Sequence, residues 1–175
     1  MANLEPIPQL SGKKMMVKLI LAAGLLVGTL DILSAFVDYY ISTGKNPLVV
    51  LPYIASGVFG KTALAGGTAM MILGLVFHYI IAFIFTILFF WIYPEIGFMS
   101  ANRVLTGILY GLFIWVIMNL AVVQLSNAPH TPPNAMKWPK VIKSMLILIF
   151  MIGLPLSFIA DKVLLRVNRK AVPGV

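Results

Sequence analysis

Apolar residues in this chain come in long unbroken runs, and the prolines, glycines and lysines gather in the short segments between them. Four runs stand out, at residues 17–41, 63–93, 102–125 and 141–165. A hydrocarbon core about 30 Å thick takes about 20 consecutive apolar residues in helix, so each run predicts a membrane-spanning helix. A further apolar stretch, Pro47 to Phe59, is too short to cross and contains Pro47, Pro52 and Gly57. It predicts a short re-entrant or interfacial helix, with Gly60-Lys61-Thr62 turning the chain into the next span. Trp91 and Tyr93 suit the headgroup region at the end of the second span, and Pro94 stops it. The loop from Ser126 to Lys140 holds Pro129, Pro132, Pro133 and Pro139 and predicts irregular backbone. The expected fold is therefore all-α: a polytopic four-transmembrane-helix bundle over 17–165, a polar arm over 1–16 and a basic tail over 166–175.

Composition sharpens this picture. Of 175 residues 61% are hydrophobic and only 10% charged, against roughly a quarter charged in soluble domains. Mean hydropathy is +1.01. The net charge of +8 sits at the borders of the apolar runs, with no basic stripe interleaved with aromatics, so lipid headgroups and not nucleic acid are the expected partners. The absence of cysteine excludes disulfides and thiol chemistry. A basic start before an apolar run also describes a signal peptide, but this run is too long for one and contains Asp31. With four spans both ends share a side. That side carries Lys13, Lys14, Lys18, Arg103, Lys162, Arg166, Arg169 and Lys170, eight cations against the five of Lys45, Lys61, Lys137, Lys140 and Lys143. The bias predicts cytoplasmic termini.

Candidate chemistry lies in the polar residues within the runs. Asp31 falls about 14 Å inside the outer end of its helix, where an ionised group must face protein or water. It shares a stripe with Gly24, Gly28, Ala35 and Asp38, and small residues at four-residue spacing let helices approach closely. His78 lies near the middle of the second span, on a face with Gly67, Gly74 and Ala82. A hydrogen-bonded or ionic Asp31–His78 pair would satisfy both residues, either as a structural lock or as a proton or ligand site. Gly107 and Gly111 mark a packing face on the third span, with Asn119 and Gln124 toward its outer end. Gly153, Pro155 and Ser157 predict a kink in the fourth, and Asp161 next to Lys162 predicts an interfacial pair. Asp31, Asp38, Asn119, Gln124 and His78 together suggest a polar cavity opening outward, covered by the 47–59 helix and the proline-rich loop; mere gap-filling by that helix is the alternative. No catalytic or metal-binding motif occurs, and no cofactor is expected.

Several strings resemble an uncharacterised family of bacterial inner-membrane proteins: Gly28-Thr29-Leu30-Asp31, Ile54-Ala55-Ser56-Gly57, Gly66-Gly67, Phe77-His78-Tyr79-Ile80-Ile81-Ala82-Phe83, Tyr110-Gly111 and Met118-Asn119. A more distant similarity reaches YagU-type membrane proteins. The resemblance implies four spans in a bacterial inner membrane and supplies no reaction. The functional expectation is a non-enzymatic membrane module, acting as a homo-oligomer or as an accessory subunit of a larger complex. Its rivals are a proton-linked carrier or small-molecule or lipid-binding protein using Asp31 and His78, and a lipid-modifying enzyme for which no nucleophile is evident.

Overall fold

The structure is a computed structural model that describes the backbone of residues 9–93 and 102–171 and the side chains of 14–93 and 102–162. No strand occurs among the described residues. Five helical runs are long and apolar enough to cross a membrane: Lys14–Thr43, Pro47–Ala65, Gly67–Ile92, Arg103–Leu125 and Trp138–Lys162. Here α1 is Gln9–Thr43, α2 is Val50–Phe59, α3 is Gly67–Ile92, α4 is Arg103–Leu125, and α5 starts at Trp138 and continues to Ala171. Residues 9–16, expected in a polar arm, are already helical, since no proline stands between Gln9 and Thr43 to interrupt the hydrogen-bond ladder. The Pro94 stop and residues 1–8 and 172–175 lie outside the described residues.

Local sequence accounts for the breaks. Gly44, at φ 67°, closes α1 with its N–H donating to the Tyr40 carbonyl at 2.7 Å, a left-handed residue where glycine carries no Cβ penalty. Asn46 Oδ1 then accepts from the Leu48 N–H at 3.0 Å, ahead of a 3-10 turn at Pro47–Val49. Gly60, at φ 66°, ends α2 and begins a 3-10 segment through Ala65. The 47–65 run is therefore bent, and its α-helical part of 10 residues is only about 15 Å long. Asn102 caps α4, accepting from the N–H groups of Val104 and Leu105. Pro139, expected in irregular backbone, instead occupies the first turn of α5, where a missing N–H removes no intrahelical bond. Pro155 has a larger effect. It offers no N–H to the preceding turn and its ring crowds the carbonyl four residues back. The helix accommodates this with a π turn at Ile149–Gly153, the form taken by the expected kink.

Contacts between helices fix their directions. Gly24 lies against Phe83, and Gly28 against Ala82 and Tyr79, so α1 and α3 run antiparallel. Between α3 and α4, the Tyr110 hydroxyl donates to the Phe85 carbonyl at 2.5 Å, while further along Phe77 and Ile80 line one hollow with Met118 and Val122. Between α4 and α5, Gly107 abuts Leu154 and Gly111 abuts Ile149. Lys143 of α5 returns to Asp38 and Ser42 of α1. Each of these four pairs is antiparallel, so α1, α3, α4 and α5 alternate in direction, with α2 packed on α3. The end of α1 and the start of α3 thus lie at one end of the bundle, together with the 126–137 loop.

Packing differs between the two ends. The core, including Val27, Phe89, Tyr93, Tyr110, Ile114 and Leu156, fills the half nearer the chain termini. There Asp161 pairs with Arg103 across helices at 3.2 Å, in place of the expected local partner Lys162. Ser157 seals the same seam by donating to the Arg103 carbonyl at 2.6 Å. Outward-facing Leu33, Ile72, Ile84 and Phe150 are each more than half exposed. An apolar exterior of this extent calls for lipid or protein around it.

Candidate functional site

The buried histidine has a different partner from the one its estimated depth suggested. His78 is buried, and its Nε2 lies 2.8 Å from the Gly28 carbonyl oxygen. A carbonyl only accepts, so Nε2 carries the proton and donates. No hydrogen bond joins His78 to Asp31 among the described residues. Gly28 is the reason. With no side chain at that position, α3 comes close enough for the ring to touch the α1 main chain. A Cβ there would lie 3.1 Å from Ala82 Cβ and from the Tyr79 ring. One residue along, Thr29 donates to the Leu25 carbonyl at 2.7 Å, so its oxygen accepts from the Tyr79 hydroxyl at 2.8 Å. This part of the α1–α3 interface is close-packed and pinned by two side chains of α3.

A cavity of about 850 Å³ opens instead at the loop end of the bundle. Its walls come from the last turns of α1, from α2, from Trp115, Asn119 and Val123 on α4, and from the first turns of α5. Asp38 and Asn119, both predicted site residues, line it; Asp31, His78 and Gln124 do not. Asp31 is half-buried on α1, one turn from Ala35 in the cavity wall. Gln124 donates to the carbonyls of Asn119 and Thr131, both at 3.2 Å, and so ties the loop to the end of α4. The π turn Ile117–Val122 surrounds Asn119, whose amide donates to the Trp115 carbonyl at 3.1 Å. The Trp115 indole donates to Ser144 Oγ at 2.7 Å, which fixes the ring in the wall.

α2 and the 126–137 loop cover this end together. The Tyr53 hydroxyl donates to the Pro129 carbonyl at 2.9 Å, and the Asn127 N–H donates to the Gly57 carbonyl at 3.0 Å. Gly74 sets how closely α2 sits on α3, because a Cβ there would overlap the Leu51 main chain.

Charge on the cavity wall is unbalanced. Lys137, Lys140 and Lys143 line it against one carboxylate, Asp38. Lys143 pairs with Asp38 and donates to Ser42 at 3.0 Å. Among the described residues Lys137 and Lys140 have no ion-pair partner. His130, also in the wall, donates Nδ1–H to the Ala128 carbonyl at 2.9 Å. Sequence reasoning used these lysines for orientation alone. Their spacing of three, at the start of a helix that follows a proline-rich loop, was the available signal that they share a face. Comparison with protein-family models, curated proteins and solved structures finds no match to this chain.

Proposed function

We propose that this chain is a bacterial inner-membrane protein with four crossings, α1, α3, α4 and α5, with both termini cytoplasmic, and that it is a non-enzymatic module binding an anionic ligand in its loop-end cavity. Four crossings are supported by the antiparallel α1–α3 contact, which brings both ends of the 44–66 segment to one end of the bundle. The short, bent α2 fits a re-entrant element. Assembly as a homo-oligomer or within a larger membrane complex would cover part of the apolar exterior.

The observation that carries the ligand reading is the 850 Å³ cavity with three lysines and one carboxylate in its wall. Low-dielectric walls strengthen the field of such a cluster toward an anion. The rival carrier built on Asp31 and His78 needs an aqueous path to both residues. Bonding of His78 to the Gly28 main chain favours a structural lock there.

The test is titration of the detergent-solubilised full chain with inorganic phosphate, followed by tryptophan fluorescence, Trp115 being in the cavity wall. Saturable quenching or enhancement, weakened in Lys140→Gln, is expected. A response that does not saturate, or one that Lys140→Gln leaves unchanged, rejects the anion site.

A further inference from the structure

We infer that the anionic ligand is an acidic glycerophospholipid, with its phosphate at Lys137 and Lys140 and one acyl chain in an adjoining apolar groove. This rests on the cavity being an anion site and adds the class of molecule. A second hollow, of about 360 Å³, lies between α2, α3 and α4, with Ile54, Val58, Phe77, Ile80, Met118 and Val122 among its walls. It meets the lysine-lined cavity at two shared residues, Tyr53 and Val123. The two hollows therefore adjoin across Tyr53 and Val123, one lined by lysines and the other apolar.

Charge and position both select the occupant. A soluble anion would use the lysines and leave the apolar part unfilled. A zwitterionic lipid would bring a compensating cation beside its phosphate and so leave no net negative charge against Lys137 and Lys140, the two wall cations without an ion-pair partner among the described residues. Phe77 is ten residues beyond Gly67, so on α3 the groove lies about 15 Å from the helix start, while Ser126 and Ala128 of the loop line its other end; an acyl chain runs inward over such a span when its phosphate is at the headgroup level. Val58 and Ile80 in the groove wall are about half exposed, so the groove opens sideways, where a lipid enters without leaving the membrane. The chain then passes from one hydrocarbon environment to another and gains little free energy. The headgroup supplies the selectivity, and the groove sets where the lipid lies.

The backbone holds this groove open. Gly74 admits α2 to α3 at its N-terminal half, while Asn127 bonds the Gly57 carbonyl and, through its side-chain amide, the Val58 carbonyl at 3.1 Å. The loop thereby grips the C-terminal end of α2 by its main chain. The apolar side chains of α2, α3 and α4 are left standing around a space none of them fills.

The full chain in mild detergent is titrated with phosphatidylglycerol, with phosphatidylcholine of the same acyl chains, and with glycerol-1-phosphate. Bound lipid is counted by native mass spectrometry, and glycerol-1-phosphate is followed by tryptophan fluorescence. Phosphatidylglycerol should be retained in preference to phosphatidylcholine. Lys137→Gln and Lys140→Gln should each lower its retention about fivefold, the factor for one cation near a lipid phosphate. Lys61→Gln, off the cavity wall, should leave it unchanged. Val58→Trp or Val122→Trp, which put an indole into the groove, should lower phosphatidylglycerol retention and keep glycerol-1-phosphate binding, which also shows that the variant is folded. Equal retention of the two lipids, or a loss in Lys61→Gln equal to that in Lys140→Gln, would overturn the lipid site. Glycerol-1-phosphate binding with no effect of either tryptophan would overturn the lipid assignment and keep the anion site. Absence of both responses would remove both.

Discussion

Replacing Gly74 with alanine is the most direct way to ask whether α2 is held against α3 as described. A Cβ at position 74 would overlap the Leu51 carbonyl oxygen and stand 2.6 Å from its carbonyl carbon and 3.2 Å from its Cα. Ordinary contact begins at 3.4 Å, so the carbon contact alone requires α2 to retreat by about 0.8 Å, and the oxygen requires more. All three atoms are main chain, so no rotamer change relieves the overlap. Such overpacking costs about 1–3 kcal/mol, offset by about 1 kcal/mol from the better helix propensity of alanine. The expected net loss is therefore up to about 2 kcal/mol. The control is Gly57→Ala on α2 itself, where the new Cβ would meet Ser126 Cβ at 3.7 Å, an ordinary contact. That variant should be neutral or gain up to about 1 kcal/mol. Denaturant unfolding in one detergent, monitored by circular dichroism, compares the two. Because α2 is a wall of the lysine-lined cavity, Gly74→Ala should also weaken the phosphate response. Equal stability of Gly74→Ala and Gly57→Ala would refute the close α2–α3 approach, and an equal loss in both variants would attribute the effect to glycine replacement in general.

Three further outcomes are expected. His78→Gln keeps an amide donor able to reach the Gly28 carbonyl and should stay within about 0.5 kcal/mol of the parent, whereas His78→Leu should lose about 0.5–1.5 kcal/mol; indistinguishable unfolding midpoints would deny that this bond contributes. Tyr110→Phe removes the buried bond to the Phe85 carbonyl and should lower stability by about 0.5–1.5 kcal/mol, read as a reduced midpoint with an unchanged slope. Reporter insertions after Lys45 and after Asn134 should fall on the same side of the membrane, opposite a fusion at Val175; placement of Lys45 and Asn134 on opposite sides would show that the 47–65 run crosses.

Run length and composition alone reach the all-helical class, the apolar exterior and the borders of most helices. A helix in lipid must satisfy its backbone internally, so hydropathy reports it directly. Breaks set by single residues were equally legible: Gly60 after Phe59, and Pro155 where α5 takes its π turn. The packing stripe Gly24–Gly28 was visible because small residues at helical spacing serve one physical purpose. What the pattern could not supply was register between helices. Asp31 and His78 have similar estimated depths, yet a shift of about one turn gives His78 the Gly28 carbonyl, and no hydrogen bond joins it to Asp31 among the described residues. Arg103 in place of Lys162 as the partner of Asp161 has the same cause, since local adjacency says nothing about the helix across the seam. The cavity is tertiary in the strictest sense. Its lysines come from the start of α5, its carboxylate from α1, its aromatic wall from α4 and its cover from α2, and only the packing of Gly74 on Leu51 and of Asn127 on Gly57 decides that a space is left between them.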